Sequence, residues 1–374
     1  MKLAGALAVP LLALVVVTTL EVVQSAQEAR RVREQTVLAQ STVGPLSLLS
    51  VLEDERNAAA VYTMGAEEAV SLPVENNAEA RETVDAAISS FRDEINDRGG
   101  NIAVAYGPAL EQLDELDELR ASVDAVPDDE RSLENIEVTT TTFDGYSAIM
   151  DSFFDANKRV ALAIDDTELR RAAELTDLSA RQTDLLARLV RDLLLAGVGG
   201  DAPDGLRQPS ELASVSRLLG QLRTNEQLIR TKATGDFRPL ADDLFADESV
   251  QLFPDIVDGA LATGEVPLDD VLTHSAGEDP DTFGYTVFRK RATDALADTA
   301  TDLEAEAAGR QRWFGVTAGA AVLIAAVVTW LVSRSITKPL RSLTRQAKEM
   351  AEHRLPDAVL DILETPLGDD VAMP

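Results

Sequence analysis

The chain has 374 residues, with 65 acidic and 34 basic side chains, two histidines and no cysteine. A formal charge of −31 is too negative for a nucleic-acid partner, and the lack of cysteine excludes disulfides, thiolate metal sites and a lipid-modified cysteine anchor. Two distant histidines leave almost nothing for a metal site or a catalytic triad, so no cofactor is expected. Abundant Ala, Leu, Glu and Arg with few aromatic residues predict an all-α protein.

The chain opens on an uncharged apolar run, Leu3 to Leu20, of a length at the lower limit for a membrane-spanning helix. A cleaved signal peptide is the alternative, because one Lys before the run and small residues near Ser25 fit that pattern too. The run is longer than an ordinary signal core, and Pro10 is tolerated inside a membrane helix. We therefore interpret residues 1–23 as a first transmembrane helix.

Residues 24–312 are predicted to form a helical segment outside the cytoplasm, long enough for one large or two smaller bundles. Helices are expected at about 27–40, 78–97, 108–126, 147–165, 166–196, 210–231 and 286–312. Breaker residues predict a pause at Gly44-Pro45, loops at 96–100 and 197–205, and a turn at 126–130. The segment Val138–Phe143 has strand propensity but cannot form a sheet alone, so it is interpreted as a loop or a helix start.

One helical stripe of this segment contains a charged residue. The stripe recurs at steps of three and four residues and consists of Leu49, Leu52, Arg56, Ala59 and Thr63. Arg56 therefore lies where an inward apolar side chain is expected, and a buried guanidinium must be paired. One interpretation is a salt bridge to a carboxylate. The other is a small planar oxyanion held by the two-pronged guanidinium.

The sequence around Arg56 resembles the first helix of the nitrate- and nitrite-sensing domain. Residues 48–62 read Leu-Leu-Ser-Val-Leu-Glu-Asp-Glu-Arg-Asn-Ala-Ala-Ala-Val-Tyr, and the family pattern is Leu-Gln-x-Glu-Arg followed by small residues and an aromatic. The resemblance spans roughly residues 43–290 and implies two up-down four-helix bundles. It also implies that Arg56 is one of two arginines that clamp nitrate or nitrite. Glu53 stands where the family usually has Gln, which places an extra negative charge near the proposed anion.

The second clamp arginine is expected on a later helix. Residues 185–197, Leu-Leu-Ala-Arg-Leu-Val-Arg-Asp-Leu-Leu-Leu-Ala-Gly, are similar to the family's other ligand helix. Aligned on Leu-Leu-Ala-Gly, the family's ligand arginine falls on or next to Asp192. Arg191 is adjacent and Arg188 lies one turn earlier, so these two are the candidates. The alternative is that both are solvated charges on an amphipathic helix.

A second membrane crossing is predicted near the carboxyl end. Residues 314–332 carry no charge, and a helix of that length reaches roughly 29 Å, the thickness of a bilayer's hydrocarbon core. A basic flank that marks the cytoplasmic side follows at once: Arg334, Lys338, Arg341, Arg345 and Lys348. We therefore expect a second transmembrane helix at 313–333 and a multi-pass protein of the cell membrane with an outer sensor segment.

The basic flank is itself a regular helix in its pattern. Apolar residues step by four, three, four and three positions, the seam of a parallel dimeric coiled coil: Ile336, Leu340, Leu343, Ala347 and Met350. Residues 334–363 resemble a HAMP linker, whose Pro falls at the position of Pro339, and an acidic tail follows at 364–374. This pattern predicts a homodimer. The alternative is a basic helix lying on anionic lipid.

A complete catalytic domain is not expected in this chain. A histidine kinase needs a phosphoacceptor helix and a sizeable ATP domain, whereas 42 residues (374 − 332) follow Val332. His353 lacks the acidic neighbour that follows a phosphoacceptor histidine and is interpreted as a surface residue, and no Gly-rich phosphate loop occurs.

The Arg-Leu-Pro connector at 354–356 resembles that of actinobacterial sensor histidine kinases. We interpret the chain as the sensor portion of such a kinase, which relays nitrate or nitrite binding to a downstream kinase or response-regulator module. The alternative function is a helical ectodomain that binds a protein partner or has a structural role, without a small ligand.

Overall fold

A computed structural model of the chain describes residues 2–65, 77–127, 130–131, 136–198, 209–271 and 284–350. Regular structure within these ranges is helical, and they contain no strand, which confirms the predicted all-α class. The helices are α1 (Lys2–Gln40), α2 (Val43–Thr63), α3 (Asn77–Arg98), α4 (Gly100–Gln112), α5 (Leu116–Asp124), α6 (Ile136–Leu162), α7 (Thr167–Val198), α8 (Pro209–Lys232), α9 (Phe237–Ala246), α10 (Glu248–Thr263) and α11 (Gly284–Glu349), with a 3₁₀ turn at Leu113–Glu115.

Several predicted boundaries differ from the structure. The predicted pause at Gly44-Pro45 lies in the first turn of α2, and the predicted loop at 96–100 is reduced to Gly99. Helix α6 begins at Ile136, so the threonine-rich segment 138–143 forms its first turns and the helix-start interpretation is right. The prediction of a helix at 108–126 is wrong at its start, because α4 already begins at Gly100. Gly99 has φ 58° and ψ −158°, a positive-φ conformation that glycine adopts without a Cβ clash, so α3 ends there and the next helix begins at once.

Helices α9 and α10 were not predicted from the sequence. Helix α9 is short and places Pro239 in its first turn, where a missing N–H costs little. Helix α10 contains Pro254, a residue that normally indicates a break. Burial of the neighbouring Phe253, which is 1% exposed, contributes roughly 1.5–3 kcal/mol and offsets the local penalty.

Residues 31–305 form one compact unit with two apolar clusters in its interior. The first cluster is contributed mainly by α2 to α6, with Leu52, Phe91, Tyr106, Tyr146 and Phe153 among its members. The second is contributed mainly by α7 to α11, with Leu189, Leu222, Phe253, Phe288 and Leu296 among its members. The division into two up-down four-helix bundles stays a prediction.

Residues 1–30 and 306–374 form a second unit. In the described part of the chain, one helical stretch, Gly284–Val332, is long and apolar enough to cross a membrane by length and composition. The first membrane helix and the multi-pass arrangement stay predictions. The second half of the predicted HAMP-like linker, His353 and the predicted acidic tail fall at 351–374, outside the described residues.

Candidate functional site

Helix α2 turns its predicted stripe inward. All five stripe residues are buried, none of them more than 2% exposed, and Arg56 is fully buried. Small residues at positions 58–60 are buried beside it, and small side chains allow neighbouring helices to approach a backbone closely. The prediction of an inward-facing arginine on this helix is confirmed.

Arg56 has partners on two other helices through one of its terminal nitrogens. Its Nη1 donates to Oδ1 of Asp184 on α7 at 2.5 Å and to Oγ of Ser147 on α6 at 3.0 Å. Its Cζ lies 4.2 Å from the ring centroid of Phe143 on α6, a cation–π contact. The expected carboxylate partner is therefore Asp184.

The other side of the Arg56 guanidinium is unpaired. Its Nε and Nη2 are buried and have no hydrogen-bond partner among the residues that the structure describes. These two nitrogens form the edge of a guanidinium that binds a planar oxyanion with two parallel hydrogen bonds. Arg120 shows this geometry nearby, since its Nε and Nη2 donate to Oε1 and Oε2 of Glu55 at 2.7 and 2.8 Å. Buried donors without partners are costly, so this edge of Arg56 is a candidate anion site.

Arg188 is joined to Arg56 through the same carboxylate. Its Nε lies 2.8 Å from Oδ2 of Asp184, and its two terminal nitrogens donate to Asp151 at 3.1 and 2.8 Å. Burial acts to lower the pKa of Arg188, but the carboxylates of Asp184 and Asp151 outweigh it and raise the pKa above its ordinary value. The structure thus brings Arg188 into the ion-paired network of Arg56 with its charge retained.

Arg191 is placed near Arg56 in a different way. Its guanidinium pairs with Asp144 on α6 and with the adjacent Asp192, whose Oδ1 lies 2.9 Å from Nε. Its Cζ lies 4.7 Å from the ring centroid of Phe143, the ring that Arg56 also contacts. Arg191 therefore shares an aromatic neighbour with Arg56 rather than a carboxylate.

An open groove of about 1100 Å³ lies against α6, α7 and α8. Asp184, Arg188 and Arg191 all line it. Asp184 also bonds Arg56, which is fully buried, so this carboxylate lies between the groove and the arginine.

Glu53, the departure from the family pattern, forms an ion pair with α11. Its Oε2 lies 3.4 Å from Nη1 of Arg289, an ion pair between two side chains that are each less than one-fifth exposed. Arg289 also donates to Ser50 at 3.2 Å and to Thr183 at 3.3 Å. The extra negative charge is thus paired with an arginine of α11.

Sequence reasoning missed three neighbours of Arg56. Ser147 and Phe143 carry no charge pattern that distinguishes them. Asp184 gives a weak signal, because it precedes Arg188 by four residues, a spacing at which acidic and basic side chains pair on a helix.

Comparison with known proteins identifies the family. No curated protein sequence matches the chain. Among solved structures it is similar to the structure of the NasR transcription antiterminator, with 16% sequence identity and a TM-score of 0.52, over 89% of this chain and 90% of that chain. At this identity the likeness concerns the fold alone. The family model described as nitrate and nitrite sensing matches residues 47–327, more than half of the chain. The chain therefore belongs to the nitrate- and nitrite-sensing family.

Proposed function

We propose that the chain is a membrane receptor that binds nitrate or nitrite at Arg56 and relays the binding through α11. The observation that carries the proposal is the buried Nε/Nη2 edge of Arg56, for which the described ranges of the chain provide no hydrogen-bond partner. The chain belongs to a nitrate- and nitrite-sensing family, so an anion of this kind is the expected partner. A planar monoanion of this kind satisfies both donors with charge-assisted hydrogen bonds.

Arg188 is the proposed second arginine of the site. It is linked to Arg56 by the shared carboxylate of Asp184, with donor–acceptor distances of 2.5 and 2.8 Å. Arg191 is the other candidate, supported by its contact with Phe143. Arg188 and Arg191 have different partners. Replacing each of them singly by Gln therefore shows which of the two binds the ligand.

The proposed relay begins at Arg289, the residue of α11 that contacts both helices of the site. It bonds Ser50 and Glu53, within two turns of Arg56 on α2, and Thr183, the neighbour of Asp184 on α7. Helix α11 is continuous from Gly284 to Glu349, and its sequence includes the apolar span at 314–332. If anion binding changes the spacing of α2 and α7, the contacts of Arg289 transmit that change to α11.

The proposed organisation follows the sequence predictions: a transmembrane helix at 1–23, an outer sensor domain at 24–312, a second transmembrane helix at 313–333, a HAMP-like linker at 334–363 and an acidic tail at 364–374. We propose that the chain works as a homodimer and as the sensor portion of a two-component histidine kinase.

Cysteine cross-linking of the full chain in membranes tests the dimer. A cysteine at Leu343, on the apolar seam, is expected to cross-link between chains, whereas one at Ser342 beside it is the matched control. Equal cross-linking at the two positions contradicts the coiled coil.

Thermal melting of the full chain in lipid nanodiscs tests the ligand. A ligand at 100 times its dissociation constant adds about 2.7 kcal/mol of stability, so nitrate or nitrite is expected to raise the melting temperature and chloride is not. Arg56→Ala should abolish the shift. No shift with any oxyanion supports the alternative of a protein-binding ectodomain without a small ligand.

A further inference from the structure

The candidate site already contains a carboxylate, Asp184, between its two arginines. Oδ1 of Asp184 lies 2.5 Å from Nη1 of Arg56, and Oδ2 lies 2.8 Å from Nε of Arg188. The side chain of Asp184 is 4% exposed and that of Arg56 is fully buried, whereas Arg188 is 20% exposed. One carboxylate is therefore paired with two guanidinium groups at a position that is largely shielded from solvent.

The other charged groups near Arg56 are screened by solvent or paired with other residues. The outer partner of Arg188, Asp151, contacts it directly but is 54% exposed, so solvent screens its charge. Glu55, which follows Asp54 on α2, is paired with Arg120 on α5. On α6, the groups that touch Arg56 are the uncharged Ser147 and Phe143.

Arg191 and its partner Asp192 are 14% and 12% exposed and cancel each other's charge. The remaining buried charges of the site, two arginines and Asp184, thus sum to one positive charge. A monoanion on the free edge of Arg56 makes the buried set neutral. A dianion leaves an uncompensated negative charge in a place where such a charge is costly.

We infer that Asp184 determines the ligand charge that the site accepts. With this carboxylate in place, the site binds planar monoanions and excludes dianions such as sulfate. The inference rests on the proposed function, because it concerns the same site. The carboxylate of Asp184 repels an anion bound at the Nε/Nη2 edge of Arg56. It repels a dianion there twice as strongly as a monoanion.

Coulomb's law gives the size of this effect. Two unit charges about 7 Å apart at an effective dielectric constant of about 20 repel by a free energy that corresponds to about 50-fold in affinity. Water in the adjacent groove weakens this, so we expect between about 10-fold and 50-fold for each ligand charge. Removing the charge of Asp184 should therefore increase the affinity for both anions. The fold-increase for sulfate should be about the square of the fold-increase for nitrate.

Calorimetric titration of the full chain in lipid nanodiscs with nitrate and with sulfate tests the inference. Asp184→Asn keeps the shape and is expected to lower the selectivity for nitrate over sulfate by about 10-fold to 50-fold, whereas Asp184→Glu retains it. Asp151→Asn is the matched control, because it removes the exposed carboxylate from the same Arg188 and should leave the selectivity unchanged.

The outcomes separate the inference from the proposed function. If the unaltered chain binds nitrate and a folded Asp184→Asn variant keeps its selectivity, the inference fails and the anion site stands. If the unaltered chain binds no nitrate, both fail. Should Asp184→Asn not fold, Asp184→Ser, which retains a small hydrogen-bonding group, is expected to show the same loss of selectivity, and unchanged selectivity there also overturns the inference.

Discussion

Replacement of Glu55 tests the buried network that holds α2, the helix of Arg56, against α5 and α6. Glu55 is fully buried, and its two oxygens accept hydrogen bonds from Arg120 at 2.7 and 2.8 Å and from the hydroxyl of Tyr146 at 2.7 Å. Glu55→Gln keeps the shape but removes the charge, which leaves the 12%-exposed guanidinium of Arg120 without its buried counter-ion. Breaking a buried pair in this way costs about 3–5 kcal/mol.

The same arginine offers a matched control. Asp85 pairs with Nη1 of Arg120 at 2.7 Å but is 62% exposed, so Asp85→Asn should cost less than about 1 kcal/mol. At roughly 2 °C per kcal/mol for a unit of this size, melting of the full chain in nanodiscs should fall by about 6 °C or more for Glu55→Gln and by about 2 °C or less for the control. Equal shifts in the two variants would refute the assignment of the stability to the buried pair.

Two further predictions concern a carboxyl group and two glycines. Burial, and secondarily Glu53, raises the pKa of Asp54 to about 6, so the folded state holds an extra proton between about pH 4 and 6 and loses stability as the pH rises through that window. Asp54→Asn should therefore stabilise the chain by about 1–2 kcal/mol at pH 7.5 and have a much smaller effect at pH 4 in melting curves; an equal effect at both pH values contradicts this. Gly65 has φ 61°, and a Cβ there would lie 2.7 Å from the carbonyl oxygen of Arg131, so Gly65→Ala should lower the melting temperature. Gly259→Ala, in open surroundings on α10, should raise it by the equivalent of roughly 0.5–1 kcal/mol, and the reverse order of the two would refute the backbone argument.

The long helices were predictable because their signal is local. Apolar periodicity and the absence of breakers placed α3, α7 and α8 within two residues of their observed ends. Helices α9 and α10 were not predictable in this way, because their prolines indicate breaks while their stability comes from packing against distant residues. Local sequence does not encode that packing.

The same distinction applies to the site. Burial of Arg56 followed from the spacing of one stripe. Its partners lie 91 positions away at Ser147 and 128 positions away at Asp184, and no short pattern fixes such pairs. The unpaired edge of Arg56 depends on which nitrogen each partner takes, a detail that only side-chain packing decides.

Calorimetric titration of the full chain in lipid nanodiscs with nitrate tests the central claim most directly. Arg56→Lys keeps the charge but loses the Nε/Nη2 edge, so the proposed site predicts about 10-fold to 100-fold weaker binding of nitrate. Arg92→Lys, at a half-exposed ion pair with Asp114, is the matched control and should bind nitrate as the unaltered chain does. Nitrate affinity that is unchanged in a folded Arg56→Lys variant would contradict the claim that this edge holds the anion.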